Sequence, residues 1–377
     1  MGAGGMAEVY KARDLPMMEV SMSRAGRTRS ASRVAVIAVA ALSAGAAYAH
    51  AAAQAPASQP NPYQTIENHF KLPDARTIGS TAAIDIDRDG SSVWVFERCG
   101  ASACMGSSLA PLIKFDSSGK AVKSLGAGMF IYPHGIHVDR DGNIWVADGR
   151  SATPQELAKF PDARGKGHTV FKLSPEGKIL MTLGKAGVAG TTPDTFNQPT
   201  DIIVAPNGDV FVSDGHGGES NARILKFTKD GKFIKTWGKK GSGPGEFDTP
   251  HNLAFDSRGR LFVADRGNSR IQIFDQDGTF LEQWKQFGRP SGIYIDKSDT
   301  LYAADSQSDE KVNPGFKRGI YIGSAKDGKV AAFILDPNHP KGSQEGVAVD
   351  SKGNVFGSLT SGMALKKYVK GRSSTSQ

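Results

Sequence analysis

The chain has 377 residues, of which 39% are hydrophobic, and its formal net charge is +8. This length and this hydrophobic content allow a large buried core. Many of its short apolar runs end in Asp-Gly, Asn-Gly or Lys-Gly, which is typical of an all-β protein with frequent tight turns. The basic residues form no long run interleaved with aromatic side chains, so the charge does not indicate a nucleic-acid partner.

The first residues, MGAGGMAEVYKARD, resemble the glycine-rich phosphate loop of a bacterial protein kinase. The sequence contains no Val-Ala-Ile-Lys strand, His-Arg-Asp loop or Asp-Phe-Gly after it, which argues against kinase function. We therefore interpret residues 1–21 as an upstream extension that is not part of the functional protein, and we expect Met22 to be the natural start.

Residues 22–49 have the pattern of a secretory signal peptide. Four arginines precede an apolar stretch, Val34–Ala47, and the small residues Ala47 and Ala49 suit a cleavage site near Ala49. The apolar stretch is too short to span a bilayer securely, although an uncleaved membrane anchor is the alternative interpretation. We expect a periplasmic or secreted protein without a stable membrane span after cleavage. Residues 50–64 form a Pro/Ala-rich linker.

The two cysteines of the chain, Cys99 and Cys104, lie in the part that we expect to be exported, where thiols are oxidised. Their spacing suits a disulfide that closes a small loop. Metal binding by this pair alone is the less favoured alternative, because two thiolates provide only half of a typical zinc site.

One segment recurs along the chain. YPHGIHVDRDGNIWVADG (Tyr132–Gly149), QPTDIIVAPNGDVFVSDG (Gln198–Gly215) and TPHNLAFDSRGRLFVADR (Thr249–Arg266) share a leading proline, an apolar strand, a turn with glycine and a second strand. Weaker copies begin at Ser80, Arg289 and Ser343, and a further strand pair follows each copy. Four strands in a unit of about 40–55 residues are typical of propeller blades.

The pattern therefore predicts an all-β, six-bladed β-propeller over residues 65–372, followed by a short tail over residues 373–377. The last copy lacks a full fourth strand, and we expect Asn68–Gly79 to supply it and close the ring. The phrases FVADRGNSRIQIFDQDG and NARILKFTKDGKFIKTWGKKGSGPGEF resemble the NHL-repeat family. A propeller alone does not define a function.

One repeat position suggests a metal site. The residue after the leading proline, or its equivalent, alternates between small residues in odd units and metal-ligand types in even units: Ala82, His134, Thr200, His251, Ser291 and Glu345. Alternate blades of a six-bladed ring are related by an approximate threefold axis, so His134, His251 and Glu345 should converge on the channel. Two imidazoles and a carboxylate suit a catalytic divalent metal. The alternative is histidines that bind water or a carbonyl at the channel mouth.

A second repeat position follows the second strand and carries Arg98 in the first unit and Arg266 in the fourth. Two arginines on the same rim could hold a carboxylate of a substrate. The alternative is ordinary salt bridges with Glu97 and Asp265. His216 lies on the same face and is a candidate acid or base, or else a surface histidine in a glycine loop. We interpret His137 as structural and the remaining histidines (His50, His69, His168 and His339) as incidental.

These residues lie in motifs that resemble the peptidyl-α-hydroxyglycine α-amidating lyases: FER at Phe96, PHGI at Pro133, FNQPTDIIVAPNGDVFVSDG at Phe196, TPHNLAF at Thr249 and VADRGNSRIQ at Val263. Those enzymes cleave hydroxyglycine-extended peptides to an amide and glyoxylate, with a central zinc on three histidines, a tyrosine base and arginines that contact substrate. The resemblance implies that His134 and His251 are zinc ligands and that Arg98 and Arg266 are the arginines.

The chain departs from that pattern at three positions. Glu345 stands in place of the third histidine, and His216 stands in place of the tyrosine, beside an apparent insertion, GGES. Gly346 stands in place of an acidic residue that helps bind a structural calcium ion in those lyases, which argues against calcium here.

We therefore predict a monomeric, exported lyase that depends on Zn²⁺ or another divalent metal and acts on a small-molecule or peptide substrate. The first alternative is a non-catalytic propeller that binds a peptide, glycan or protein in the cell envelope. The second, weaker alternative is a metal-dependent hydrolase or lactonase of the propeller type.

Overall fold

The computed structural model of the protein describes residues 58–73 and 76–371. The predicted N-terminal extension, the signal peptide, most of the linker and the C-terminal tail lie outside the described residues. Within them the chain forms six four-stranded antiparallel sheets, which confirms the predicted all-β, six-bladed propeller. In the same part of the chain, no helix has both the length and the apolar character that a membrane crossing requires.

Each blade is a meander whose first strand lies innermost. The first three blades comprise β2 (Thr81–Ile86), β3 (Val93–Glu97), β4 (Leu112–Phe115) and β5 (Ala121–Leu125); β6 (Pro133–Val138), β7 (Ile144–Asp148), β8 (Thr169–Leu173) and β9 (Ile179–Leu183); and β10 (Pro199–Val204), β11 (Val210–Asp214), β12 (Arg223–Phe227) and β13 (Phe233–Trp237). A short helix, α1 (Pro154–Lys159), lies between β7 and β8 and is capped by Thr153.

The last three blades follow the same order. They comprise β14 (Pro250–Phe255), β15 (Leu261–Asp265), β16 (Arg270–Phe274) and β17 (Phe280–Trp284); β18 (Pro290–Ile295), β19 (Thr300–Asp305), β20 (Gly319–Ser324) and β21 (Val330–Leu335); and β22 (Gln344–Val349), β23 (Val355–Leu359), β24 (Leu365–Lys370) and β1 (Tyr63–Ile66).

Aspartate side chains close several of the turns between the strands. Asp139 Oδ1 accepts hydrogen bonds from the backbone N–H groups of Asp141 (3.0 Å) and Asn143 (2.9 Å) between β6 and β7. In other blades, Asp256 and Asp350 likewise accept from the backbone N–H groups two and four residues after them. A short acidic side chain that satisfies backbone donors favours a tight turn over a continuing strand.

The core consists of six apolar clusters, one at each interface between neighbouring blades. The cluster between the first and second blades, for example, contains Trp94, Phe96, Ile136, Val146 and Leu173. A single blade cannot bury both faces of its sheet, so its apolar residues are stabilised only when the next blade packs against them. The innermost strands of all six blades contact their neighbours around the ring and line the central channel.

The ring is closed by the N-terminal part of the domain, as predicted, but by a different strand. Tyr63–Ile66, not Asn68–Gly79, pairs antiparallel with β24, with Tyr63 opposite Lys370. Asn68 has φ 53°, and Pro73 has no backbone N–H for a ladder, so the predicted segment is a poor strand. Its apolar residues Phe70, Leu72 and Ile78 instead pack between the last and first blades.

The closing strand also includes Tyr63 and Gln64, which the sequence analysis assigned to the linker. In the fifth blade, the run GKVAAFILDP (Gly328–Pro337), which was expected to contain the further strand pair, contains only β21, and β20 precedes it. Both differences arise because strand pairing, rather than local pattern, decides where these short apolar runs begin.

Candidate metal centre

The same backbone irregularity occurs in the innermost strand of every blade, and in the even blades it positions the candidate ligands. The pairing of the innermost strand with its neighbour shifts register at the residue after the leading proline or its equivalent. A β-bulge of this kind turns a side chain away from the regular alternation of the strand. In the second, fourth and sixth blades the residues at this irregularity are His134, His251 and Glu345.

The orientation of each imidazole is set by the next blade. His134 Nδ1 lies 2.7 Å from the backbone oxygen of Thr200, and His251 Nδ1 lies 2.8 Å from that of Ser291. A carbonyl oxygen only accepts, so both Nδ1 atoms donate, and each Nε2 carries a lone pair. Thr200 and Ser291 are the small residues at the same repeat position, which gives the odd blades a role in the site.

The Nε2 atoms of His134 and His251 are buried and have no hydrogen-bond partner. His251 Nε2 lies 3.2 Å from Glu345 Oε1, but their orientation does not make a hydrogen bond. A lone pair therefore faces a carboxylate oxygen at close range. Two acceptors in this position need a cation or a proton between them.

His216 lies in the same cluster, although it comes from the loop after β11 in the third blade. Its ring centroid is 4.8 Å from that of His134 and 5.2 Å from that of His251, and the latter two are 4.7 Å apart. The ligand atoms of these three histidines and Glu345 all lie within 4.8 Å of one another. The structure thus brings together the three predicted ligands and the predicted acid or base.

The loop holds His216 through its own backbone. The N–H of His216 donates to Ser220 Oγ (2.8 Å), and that hydroxyl donates to the carbonyl of Gly217 (2.7 Å). Gly215 has φ 143°, and a Cβ there would lie 1.7 Å from the backbone oxygen of Asn221, so only glycine fits where the two ends of the loop cross. The GGES insertion forms part of the turn that places this side chain over the channel.

Both predicted arginines are buried beside the cluster. Arg266 Nη2 lies 3.3 Å from His216 Nε2, and Arg266 Nη1 lies 3.7 Å from Glu345 Oε1. Arg98 donates from Nε to the backbone oxygen of Pro133 (3.1 Å) and from Nη1 to Ser80 Oγ (3.1 Å).

The alternative of ordinary rim salt bridges is not what the structure contains. Glu97 pairs with Arg76, and Asp265 pairs with Arg270 at 2.7 Å. Arg98 and Arg266 are thus not neutralised by the acidic residues next to them in the chain, and both guanidinium groups lie close to the candidate metal centre.

The electrostatics favour neutral imidazoles next to an ionised carboxylate. Burial lowers the pKa of His251, and it lowers the pKa of His134 and of His216 well below the ordinary value. Burial works to raise the pKa of Glu345, but its contacts hold that pKa well below the usual range. The contact with His251 does most to lower the pKa of Glu345, and the charge of Arg266 adds to it.

This donor set fits a divalent metal ion. Imidazole and carboxylate are ordinary ligands of zinc and of other transition metals, at about 2.0–2.2 Å. Ligand atoms that lie within 4.8 Å of one another need only small side-chain shifts to reach a common ion. The carbonyl that accepts from each Nδ1–H is the outer partner that fixes a metal-binding histidine.

Two residues at this face, Tyr132 and Arg150, were not predicted from the sequence. The ring of Tyr132 contacts two guanidinium groups, with Arg98 Cζ 3.9 Å and Arg150 Cζ 4.8 Å from its centroid. Arg150 in turn pairs with Glu156 of α1 (2.8 Å). The sequence signal for Tyr132 was its position directly before the leading proline of the second unit, which carries a predicted ligand. The fourth unit has Thr249 at the equivalent position.

Other predicted residues lie near the face or support it. Cys99 and Cys104 form the predicted disulfide, directly after Arg98. His137 Nδ1 lies 3.4 Å from Asp85 Oδ2, farther along the innermost strand than His134. His168 is buried and bonded at both ring nitrogens, to Ser151 and to the N–H of Gln198, so it is structural rather than incidental.

Residues 247–274 match the NHL repeat family model. This six-bladed propeller thus contains a segment in its fourth blade that matches the NHL repeat, as the phrase FVADRGNSRIQIFDQDG predicted. This propeller is similar to the mouse peptidyl-glycine alpha-amidating monooxygenase, with 41% identity over 155 residues, which is 39% of the chain but 14% of the mouse protein. It is also 36% identical over 153 residues to a probable peptidyl-alpha-hydroxyglycine alpha-amidating lyase of Caenorhabditis elegans, covering 40% of the chain and 38% of that protein.

The human NHL repeat-containing protein 3 matches a longer segment, with 32% identity over 195 residues and half of each protein covered. The match to each of these curated relatives therefore spans half of their length or less. Relatives of the propeller are thus named as amidating enzymes and, in one case, only by their repeats.

Solved structures support the architecture. A streptogramin B lyase aligns with a TM-score of 0.51 and 15% identity, over 82% of this chain and 98% of that chain. A gluconolactonase from Xanthomonas campestris aligns with a TM-score of 0.52 and 16% identity, over 78% of this chain and 86% of that chain. At this identity the likeness shows the fold alone.

Proposed function

We propose that the chain is an exported, metal-dependent lyase similar to the amidating lyases, which splits a carbinolamide and releases glyoxylate or a related carbonyl compound. The observation that carries the proposal is the cluster of His134, His216, His251 and Glu345, with two buried unpartnered Nε2 atoms, beside Arg98 and Arg266. Relatives named as amidating enzymes support it.

The reaction breaks one carbon–nitrogen bond. The carbinol carbon loses its bond to the amide nitrogen, its hydroxyl loses a proton and becomes a carbonyl, and the nitrogen gains a proton to leave as the primary amide. A divalent metal held by His134, His251 and Glu345 would polarise the oxygen of the carbinol or of the departing carbonyl compound.

The chain's own residues would bind and orient the substrate. Arg98 and Arg266 lie beside the cluster and are not paired with Glu97 or Asp265, so they would hold the carboxylate of the substrate. Fixing that group near the ligands lowers the entropic part of the barrier. His216 was predicted to transfer the proton, but its ring lies among the candidate ligands.

The test uses the full chain, purified and loaded with Zn²⁺, and a synthetic peptide that ends in α-hydroxyglycine. We expect glyoxylate release, measured by a colorimetric assay against the slow background breakdown of the peptide. His134→Ala and His251→Ala should abolish it, whereas His137→Ala, a channel histidine outside the cluster, should retain it. Metal-loaded wild-type protein that releases no glyoxylate above background would reject the lyase and leave a non-catalytic binding role.

Export is part of the proposal and has a separate test. We propose that residues 22–49 direct the chain out of the bacterial cytoplasm. The chain with a C-terminal tag should fractionate with the periplasm or the medium in processed form, and deletion of residues 22–49 should leave it in the cytoplasm. An unprocessed wild-type chain in the cytoplasmic fraction would contradict export without affecting the lyase assay.

A further inference from the structure

We infer that His216 is a fourth protein ligand of the metal and not the group that moves the substrate proton. The inference rests on the proposed function in one respect only, which is that a divalent ion binds in this cluster. It changes the ligand set from two imidazoles and a carboxylate to three imidazoles and a carboxylate.

The position of His216 is that of a ligand. Its ring centroid is 4.8 Å from that of His134 and 5.2 Å from that of His251, and those two are 4.7 Å apart, so the three imidazoles surround one point at similar spacing. Its ligand atom belongs to the same group, within 4.8 Å, as those of the three other residues. A proton acceptor would need to face the substrate rather than lie among the ligands.

The hydrogen bond from Arg266 shows which nitrogen of His216 carries a lone pair. A guanidinium only donates, so Nε2 of His216, 3.3 Å from Arg266 Nη2, is an acceptor. The same guanidinium lies 3.7 Å from Glu345 Oε1, which places both acceptors beside one cation. The cluster therefore presents three imidazole lone pairs and one carboxylate, an arrangement that a metal ion satisfies.

The loop that carries His216 is fixed at both ends. The N–H of Gly215 donates to the backbone oxygen of Gln198 (2.9 Å), and Asn221 Nδ2 donates to Asp214 Oδ2 (2.7 Å). Between them, Ser220 Oγ accepts from the N–H of His216 (2.8 Å). A ligand gains affinity from such preorganisation, because little conformational freedom is lost when the metal binds.

Coordination by His216 has a consequence for Arg266. Bonding of the His216 Nε2 lone pair to the ion replaces its hydrogen bond from Arg266, and the guanidinium becomes available to an acidic group of the substrate. A metal with four protein ligands keeps a place for a substrate oxygen only at a coordination number of five or six. Co²⁺ readily adopts coordination numbers of five and six, and its visible absorption spectrum depends on the coordination number.

The experiment titrates Co²⁺ into metal-stripped full chain and records the visible spectrum and the Kd. We expect His216→Ala to raise the Kd by about tenfold or more, as His134→Ala does, and to change the spectrum at saturating Co²⁺. His137→Ala is the matched control and should alter neither. A Kd for His216→Ala that matches wild type, with an unchanged spectrum, would overturn the inference, even if turnover were lost.

A second measurement does not depend on any variant. X-ray absorption at the zinc edge of the wild-type protein counts the imidazoles bound to the metal, and we expect three. Two imidazoles would reject His216 as a ligand while leaving the lyase proposal intact. Three imidazoles with no glyoxylate release would reject the lyase and support the ligand, so the two proposals fail separately.

Discussion

In this site, the tautomers of His134 and His251 are set by a backbone oxygen on the next blade. His134 and His251 donate from Nδ1 to the backbone oxygens of Thr200 and Ser291, and this leaves their Nε2 lone pairs directed at the cluster. Replacing either histidine removes a candidate ligand, whereas the backbone oxygen that accepts from it is kept in any substitution of Thr200 or Ser291. The sequence shows the ligand residues, but the tautomer is decided by backbone atoms that no sequence pattern marks.

Under the proposed function, Arg266 repels the metal ion and binds the substrate, so its removal should affect metal affinity and KM differently. In Arg266→Gln, a cation 3.7 Å from Glu345 Oε1 is lost, and we expect Zn²⁺ affinity to stay equal or to increase. The KM for an acidic substrate should rise by about tenfold or more, because a charge-assisted bond is lost. A chelator competition and steady-state kinetics test this, and weaker Zn²⁺ binding with an unchanged KM would contradict it.

His168 should make stability depend on pH. Burial, helped by the charge of Arg150, lowers its pKa to about 4. As pH falls from 6.5 the unfolded chain binds the proton first, so the free energy of unfolding decreases until pH reaches about 4. Between pH 7 and pH 5 this residue should cost about 2 kcal/mol.

Urea unfolding of metal-free wild type and His168→Gln at both pH values measures the effect of His168. Glutamine cannot take up a proton, so the variant should lose less stability on acidification than wild type. Equal losses in the two proteins would show that His168 does not titrate as its burial implies.

At the scale of elements, the site depends on irregular backbone rather than on regular strands. The register shifts at the start of the innermost strands turn His134, His251 and Glu345 into the channel. The loop after β11 adds His216 through a crossing that requires glycine at residue 215. Bulges and loop crossings of this kind are set by pairing with neighbouring segments.

The loop crossing can be tested with two glycines of one loop. In Gly215→Ala the new Cβ would lie 1.7 Å from the backbone oxygen of Asn221, so the loop must move and His216 with it. We expect Co²⁺ affinity to fall by about tenfold, as for loss of a ligand, together with a lower melting temperature.

Gly218→Ala is the matched control for Gly215→Ala. Gly218 has φ 58°, and a Cβ there meets nothing within 4 Å, so the variant should cost only about 1 kcal/mol and keep the metal affinity. Equal metal binding in the two variants would show that the crossing does not position His216.

At the scale of the whole molecule, the ring brings distant parts of the chain together. The candidate ligands span residues 134 to 345, and they converge because alternate blades face the same channel. The ring is held together by apolar interfaces between blades and by the pairing of β1 with β24 near the chain's two ends. Stability and the geometry of the metal centre are therefore linked through ring closure.

Tyr63 tests that closure. It is 6% exposed and packs with Tyr302, Ile334 and Tyr368 between the fifth and sixth blades. Tyr63→Ala should lower the free energy of unfolding by about 3 kcal/mol, because a large buried ring is removed. Tyr63→Phe keeps the ring and should cost much less. Urea unfolding compares the two, and an alanine variant as stable as wild type would show that β1 contributes little to closure.

The sequence by itself determined the number of blades, the alternation of ligand types on even blades and the pair of arginines, because each is written in a repeat that can be compared with itself. It also determined the disulfide, since two cysteines five residues apart can close a small loop. The closing strand was misplaced, because Tyr63–Ile66 is identified only by its pairing with β24.

Only the tertiary structure decided that His216 joins the cluster of candidate ligands and that Tyr132 contacts two guanidinium groups. The repeat does not reveal either fact, because both depend on contacts between different blades. A loop insertion has no counterpart in the other units, so its position follows from the backbone bonds that hold its ends. A sequence repeat therefore predicts the features that its copies share, whereas the positions of residues outside the repeat are decided by packing between blades.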